Sequence, residues 1–344
     1  MDAVPAPDAA VFQGRVLPPG TPGTSGTPGT SGRSGARDGA VRRPRVAVVG
    51  AGAVGGYFAA RAAEGGAEVL LCVRGGGFDR LRIVRPGPAG TGSVSGGGGT
   101  EFRLPVVLDP ADLCGPVDWI VLATKAHQTP AAVGWLRAGL GDATAVVVAQ
   151  NGVEHVERVS PPVPREAVLP AVVYLNAELE RPGVVRHVAY GVLQVPDCPL
   201  GERFAGVLPS GDVRLVPDFA TAAWSKLLSN SAANSLTALT GRGLEVLARP
   251  DVGELALAVM RETAAVARAA GARLAVDAPE RTLARLRHQP PGAGTSMLRD
   301  RLAGRPLEHD ALLGAVVRTG ERLGVPTPTC AALLPVLAAL GTGP

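Results

Sequence analysis

The stretch Val46-Ala47-Val48-Val49-Gly50-Ala51-Gly52-Ala53-Val54-Gly55 decides the fold. A short β-branched strand, Arg45–Val49, runs directly into a glycine turn, and the apolar run Val54–Ala63 behind it reads as a helix. In that setting each glycine has its own task. Gly50 permits the tight turn, Gly52 lets backbone approach a pyrophosphate, and Gly55 allows close packing of helix on strand. The helix then offers unpaired N–H groups and a favourable dipole to phosphate. The pattern implies a dinucleotide site built by Gly50, Ala51, Gly52, Ala53, Val54 and Gly55. The alternative is an ordinary glycine turn, which the three glycines without their strand and helix would not exclude.

Outward from this turn, Glu68–Val73, Val117–Ala123 and Ala145–Ala149 read as further buried strands, with a helix around Thr129–Ala138. Strands alternating with helices argue a parallel, doubly wound sheet of the Rossmann type. Arg85–Thr100 is a glycine-rich surface loop. Residues 168–216 are rich in strand formers, with turns at Arg181-Pro182-Gly183 and Ser210-Gly211-Asp212, and are expected to complete the same sheet. From Asp218 onward, long alanine- and leucine-rich runs carry helical periodicity. The class is α/β: a Rossmann-type domain over 41–217, then a mostly α-helical domain over 218–344. Residues 1–40, rich in Pro, Gly, Ser and Thr, read as a disordered extension with no signal-peptide pattern.

Composition narrows the function. The chain of 344 residues is 46% hydrophobic with no apolar run of membrane-spanning length, so no membrane partner is expected. A net charge of +4 without a polybasic run predicts no nucleic-acid partner. Cys72, Cys114, Cys198 and Cys330 form neither a disulfide framework nor a metal pattern, which suits a reducing cytoplasm. The five histidines show no ligand spacing, so no metal is expected. Of the 34 basic residues, 32 are arginine and only Lys125 and Lys226 are lysine. An amine can be tuned to release a proton where a guanidinium cannot, so two lysines in this background are candidates for chemistry, chance retention being the alternative.

The strand Val69–Val73 ends in Arg74, with no acid beside it to take ribose hydroxyls. A guanidinium there suits a 2′-phosphate, hence NADP(H) over NAD(H). A solvated surface charge is the plainer explanation of Arg74. Ligands of open α/β sheets bind beyond the carboxyl ends of the strands, and Lys125 and Asn151 follow two such ends. Either alone is an ordinary loop residue; together they share one rim. In the helical half, Lys226, Asn230 and Asn234 stand at i, i+4 and i+8 on one face. Asparagine is a poor helix former, so two in register ask for a reason. One is a solvent-facing stripe, and another is a cleft for a small oxygen-rich anion.

The chain resembles the ketopantoate reductase (2-dehydropantoate 2-reductase) family from about Arg45 to Leu340. The likeness rests on the glycine fingerprint, Lys125-Ala126, Gln150-Asn151-Gly152 and the Lys226–Thr237 helix motif. Thr295-Ser296-Met297-Leu298-Arg299-Asp300, Glu308-His309-Asp310 and Gly324–Pro328 add to it. The resemblance implies NADPH-dependent reduction of 2-dehydropantoate to pantoate, with Lys226 as proton donor. It makes Asn230, Asn234 and Ser296 substrate ligands, Asn151 a contact to cofactor and substrate, and Lys125 and Ala177 cofactor contacts. Glu308 would lie by the cofactor ribose and orient the Lys226 amine. Leu244 stands where some members carry an asparagine, and His309 replaces an apolar residue. A reductase of another small 2-oxo acid, or a non-catalytic NADP-binding regulator, would share these motifs. Apolar helices in the second half make a homodimer an expectation.

Overall fold

A strand that is apolar at every position needs cover on both faces, and the strands around Gly50 have it. In the computed structural model, which describes residues 14–17, 42–76, 78–85, 98–290 and 292–341, alternate strand residues enter two different cores. Val46, Val48, Trp119, Val121 and Val147 join one; Ala47, Val49, Ile120, Leu122 and Val148 join the other. That two-sided burial is the signature of a parallel sheet between helices.

The strand-bearing part runs β1 (Arg45–Val49), α1 (Ala53–Glu64), β2 (Glu68–Cys72), β3 (Leu81–Val84), β4 (Gly99–Phe102) and β5 (Val106–Val107). It continues with β6 (Trp119–Leu122), α2 (Thr129–Gly139), β7 (Ala145–Val148), α3 (His155–Val159), β8 (Val168–Pro170) and β9 (Val172–Arg181). β10 (Val184–Pro196), α4 (Pro199–Ala205) and β11 (Val213–Val216) close it. The first sheet has the order β5-β2-β1-β6-β7-β8, all parallel. The chain leaves β1 towards β2 on one side and returns as β6 on the other. This places the switch point, where a crevice opens, between the ends of β1 and β6.

Only β8 of the 168–216 stretch completes that sheet, which corrects the expectation for the remainder. β9 and β10 form an antiparallel hairpin across Pro182-Gly183, with Gly183 at φ +78°. A tight turn returns the chain antiparallel to itself, whereas entry into a parallel sheet requires a crossover. The hairpin founds a second sheet, β11-β10-β3-β4, with β9 on β10. α1 lies between the two sheets, its Tyr57 and Phe58 in one core with Val46, Val185 and Leu193. Residues 86–97, most of the glycine-rich loop, lie outside the described residues.

The expectation of a structureless segment over 1–40 fails at residues 14–17. Arg15 bridges Leu215 of the edge strand β11 through two backbone bonds of 2.9 and 3.0 Å. Its guanidinium pairs with Asp197 at 2.8 Å and with Glu202. An edge strand carries unpaired N–H and C=O groups, and a passing backbone satisfies them. The other residues of 1–40 lie outside the described residues.

The helical part comprises α5 (Phe219–Thr240), α6 (Pro250–Ala269), α7 (Ala278–Arg287), α8 (Ser296–Leu302), α9 (Ala315–Leu323) and α10 (Pro328–Gly341). A single π-helical segment, Asp310–Gly314, leads into α9. α5 is the central rod, about 33 Å long at 1.5 Å per residue. Asp218 caps its start by accepting from the Thr221 N–H, and Gly241 at φ +68° ends it. Trp224, Leu227, Leu228, Ala232 and Leu236 bury its apolar side against Val259, Met260 and Leu313. What remains for the other side is the Lys226–Asn230–Asn234 stripe.

Candidate functional site

The glycine turn has the shape its spacing demands. Gly50 sits at φ +97°, and a Cβ there would come within 2.8 Å of the Thr124 side chain. At Gly55 a Cβ would stand 1.8 Å from the Gly50 carbonyl oxygen. Gly52 is the opposite case, since a Cβ there would meet nothing within 4 Å. It is the N-cap of α1, with no side-chain cap and no acid in the first turn. The helix dipole is therefore presented to an open concavity, which fits a pyrophosphate. Ala51, Ala53 and Val54 are half-buried around it. Beside the turn lies a cavity of about 260 Å³ lined by Gly50, Val73, Arg74, Thr124 and Trp135. Arg74 is exposed at this cavity.

Lys125 follows β6, and it meets two buried carboxylates from the helical part. Its Nζ donates to Asp300 Oδ2 at 2.8 Å and to Glu308 Oε2 at 3.2 Å. Burial alone would depress this amine, but the Glu308 and Asp300 charges outweigh it and raise its pKa above the ordinary lysine value. Glu308 also accepts from the Ala126 N–H at 3.0 Å and from Asn151 Nδ2 at 3.1 Å. Asp300 accepts in addition from Arg305 Nε at 2.9 Å. Gln150 ties the ends of β6 and β7 together by donating to the Thr124 carbonyl, at 3.1 Å, and to Thr129 Oγ1, at 3.0 Å.

On α5, Asn234 is buried, and its Oδ1 accepts from Ser296 Oγ and the Met297 N–H, both at 3.2 Å. Asn230 is half-buried one turn away. Lys226 is also half-buried, with its Nζ 4.6 Å from the centroid of the Tyr174 ring. Burial, and then the charge of Arg285, lower its pKa to about 8.

α8 links Asn234 of α5 to Lys125 through a chain of hydrogen bonds. Ser296 and Asp300 are four residues apart on it, hence on one face; the first holds Asn234 of α5 and the second holds Lys125 at the crevice. Lys125 in turn adjoins Thr124, against which Gly50 packs. Glu308, expected to orient Lys226, is instead occupied by Lys125, Ala126 and Asn151, because it enters from the segment just before the π-helical turn, beside the end of β6. Ala177 lies on β9 opposite His187, buried in the core beneath α1, and it is Tyr174 of the same strand that reaches the lysine. Leu244 is buried among the helices. His309 borders a second cavity of about 430 Å³ with His127, Arg158 and Glu308.

Two members of the cleft had no role from sequence. Asp300 could have been found from its spacing to Ser296. Tyr174 carried no local signal beyond being one of three tyrosines. Among the described residues no group of three or more His, Cys, Asp or Glu is placed to hold a metal ion. No helix there is long and apolar enough to cross a membrane.

Comparison with known proteins gives a consistent picture. The profile of the family described as ketopantoate reductase PanE/ApbA matches residues 46–199, and the profile of that family's C-terminal part matches 218–341. The chain is 41% identical over 310 residues to the 2-dehydropantoate 2-reductase of Mycobacterium tuberculosis, covering 87% of this chain and 98% of that one. It is 36% identical over 295 residues to the Caulobacter vibrioides enzyme of the same name, covering 85% and 97%. Among solved structures it is similar to a dimeric ketopantoate reductase from Staphylococcus aureus, with a TM-score of 0.75 and 25% identity over 86% of this chain and 98% of that one.

Proposed function

The chain belongs to the ketopantoate reductase family, and from that premise we propose that it reduces 2-dehydropantoate to pantoate with NADPH, Lys226 giving the proton. The observation that carries this is the bridge made by α8, which ties Asn234 of the Lys226–Asn230–Asn234 stripe to Lys125 beside the glycine turn. An oxidoreductase of this family acts on a 2-oxo acid. A dinucleotide held at the glycine turn by Gly50, Gly52 and Gly55 would supply the hydride for the carbonyl carbon.

The protein's own groups do the rest. As negative charge grows on the carbonyl oxygen, the Lys226 ammonium donates a hydrogen bond to it and then releases a proton from Nζ. An amine at about 8 is roughly nine-tenths ammonium at pH 7 and still gives up its proton readily. Ser296 and Met297 occupy Asn234 Oδ1, so its NH2 is the end offered to substrate. Asn230 adds a second amide one turn away, and on substrate binding the Ser296 O–H turns from Asn234 Oδ1 to the substrate carboxylate, leaving the Met297 N–H on Asn234 Oδ1. Glu308 fixes Asn151 and Lys125, two of the side chains assigned to the cofactor, and Lys226 relies on other support. Arg74, with no acid beside it, favours a 2′-phosphate.

A homodimer in the cytoplasm completes the proposal. It follows the dimeric S. aureus relative, and Val336 and Leu340 of α10 leave apolar surface exposed. One observation favours a second reading, a different 2-oxo acid: the place of the additional asparagine is the buried Leu244, which offers no polar contact. Initial rates with NADPH and NADH across a panel of 2-oxo acids test both. Highest kcat/KM for 2-dehydropantoate with NADPH supports the proposal; a better 2-oxo acid replaces its substrate, and no turnover of any removes it.

A further inference from the structure

A half-buried ammonium ordinarily needs a partner, because burial removes the water that stabilises its charge. Lys226 has no carboxylate among its described neighbours. Glu308 is held by three donors elsewhere, and Asp300 by Lys125 and Arg305. α5 packs against α6, α7, α8 and α10, against the short helical turn Leu244–Ala248 and the π-helical segment Asp310–Gly314, and against β9 and β10. From these elements the one charge bearing on the amine is Arg285 of α7, which repels it. What faces the amine is the ring of Tyr174, 4.6 Å from Nζ to centroid.

This ring is fixed by its strand. Tyr174 pairs with Val192 across the β9–β10 hairpin, so the register of the second sheet decides where it points. Its phenol is pushed up to about 12 by burial, with Arg285 opposing only in part. It therefore stays neutral at any working pH and cannot form an ion pair with the amine. Its attraction is that of the negative ring face for a cation.

Resting on Lys226 as the proton donor, we propose that Tyr174 is the positioning residue of that lysine: its ring face holds the ammonium at the cleft where a carboxylate would otherwise pair it. The choice of partner has a chemical reason. A paired carboxylate stabilises the ammonium strongly and raises its pKa, as Asp300 and Glu308 do for Lys125. A donor gripped in that way releases its proton reluctantly. A ring face fixes the nitrogen while leaving the proton easy to transfer. The two lysines of the chain are thereby set for different work, Lys125 as a permanent cation and Lys226 as an acid.

With only two lysines in the sequence, the amines can be watched directly. Reductive methylation with ¹³C-formaldehyde keeps their charge and yields Lys125, Lys226 and terminal-amine signals, assigned with Lys125→Arg. Tyr174→Phe keeps the ring face, so Lys226 should titrate as in the wild type, with kcat within about twofold. Tyr174→Leu keeps an apolar neighbour but loses the π system. The titration should then move down by about one pH unit, the equivalent of a desolvated cation–π contact. Its kcat near pH 8 should fall roughly tenfold, with NADPH affinity unchanged. An unmoved Lys226 titration in Tyr174→Leu would overturn the proposal. So would a Tyr174→Phe enzyme as impaired as the leucine variant, an outcome readable even if the leucine variant folds poorly. Failure of Lys226 as donor would show separately, as full kcat in a Lys226 variant whose amine is gone.

Discussion

Replacing Lys226 with methionine should make the protein more stable and nearly inactive. Burial lowers the amine from an ordinary 10.5 to about 8. At 1.36 kcal/mol per tenfold step, this amounts to about 3 kcal/mol against the folded ammonium at neutral pH. Part of the side chain keeps contact with water, so about 1–2 kcal/mol is the gain to expect from removing it. Methionine has a similar length and packs well on an aromatic ring. The sign follows from proton counting. Between pH 8 and 10.5 the unfolded chain holds a proton that the folded chain has lost, so wild-type stability rises across that window. Lys226→Met lacks this rise, and its advantage should be largest below pH 8 and vanish near 10.5. Urea denaturation of the cofactor-free protein at several pH values, followed by the fluorescence of its three tryptophans, among them Trp224 on the same helix, measures it. A variant less stable than wild type at pH 7, or a gap independent of pH, would refute the reasoning.

Arg74→Ala should raise the KM for NADPH by roughly 10- to 100-fold, the worth of charge-assisted hydrogen bonds to a phosphate, while NADH kinetics stay put. Equal losses with both cofactors would leave Arg74 a surface charge. A chain starting at residue 41 loses the Arg15 bridge to β11 and its pairs with Asp197 and Glu202. Its melting temperature should fall by a few degrees with kcat/KM intact; an unchanged melting temperature would mean that the bridge contributes nothing.

The glycine turn was legible because its requirements are local: a strand, a positive φ and a helix start lie within eleven residues, Arg45 to Gly55. The stripe on α5 was legible for the same reason, helical spacing being a short-range property. Pairings made by the tertiary fold were not. Lys125 and Asp300 are 175 residues apart, and nothing local to either announces the other. The strand character of β9 and β10 was visible, but alternation and turn residues do not say which sheet a hairpin will join. Assigning Glu308 to Lys226 came with the family resemblance and not from any local signal. The stretch before the π-helical turn brings that carboxylate to Lys125 instead, and a ring from the second sheet stands by Lys226.

Lys226 as the proton source is the claim on which the account turns, and Lys226→Arg tests it most directly. Arginine preserves the positive charge but does not release a proton near neutral pH, and its planar head misfits an ammonium's place. With 2-dehydropantoate and NADPH at saturation, kcat should fall by roughly 10²-fold or more, while the Kd for NADPH from direct titration stays at the wild-type value. A Lys226→Arg enzyme with wild-type kcat would contradict proton donation and leave the residue a simple anchor for the substrate's charge.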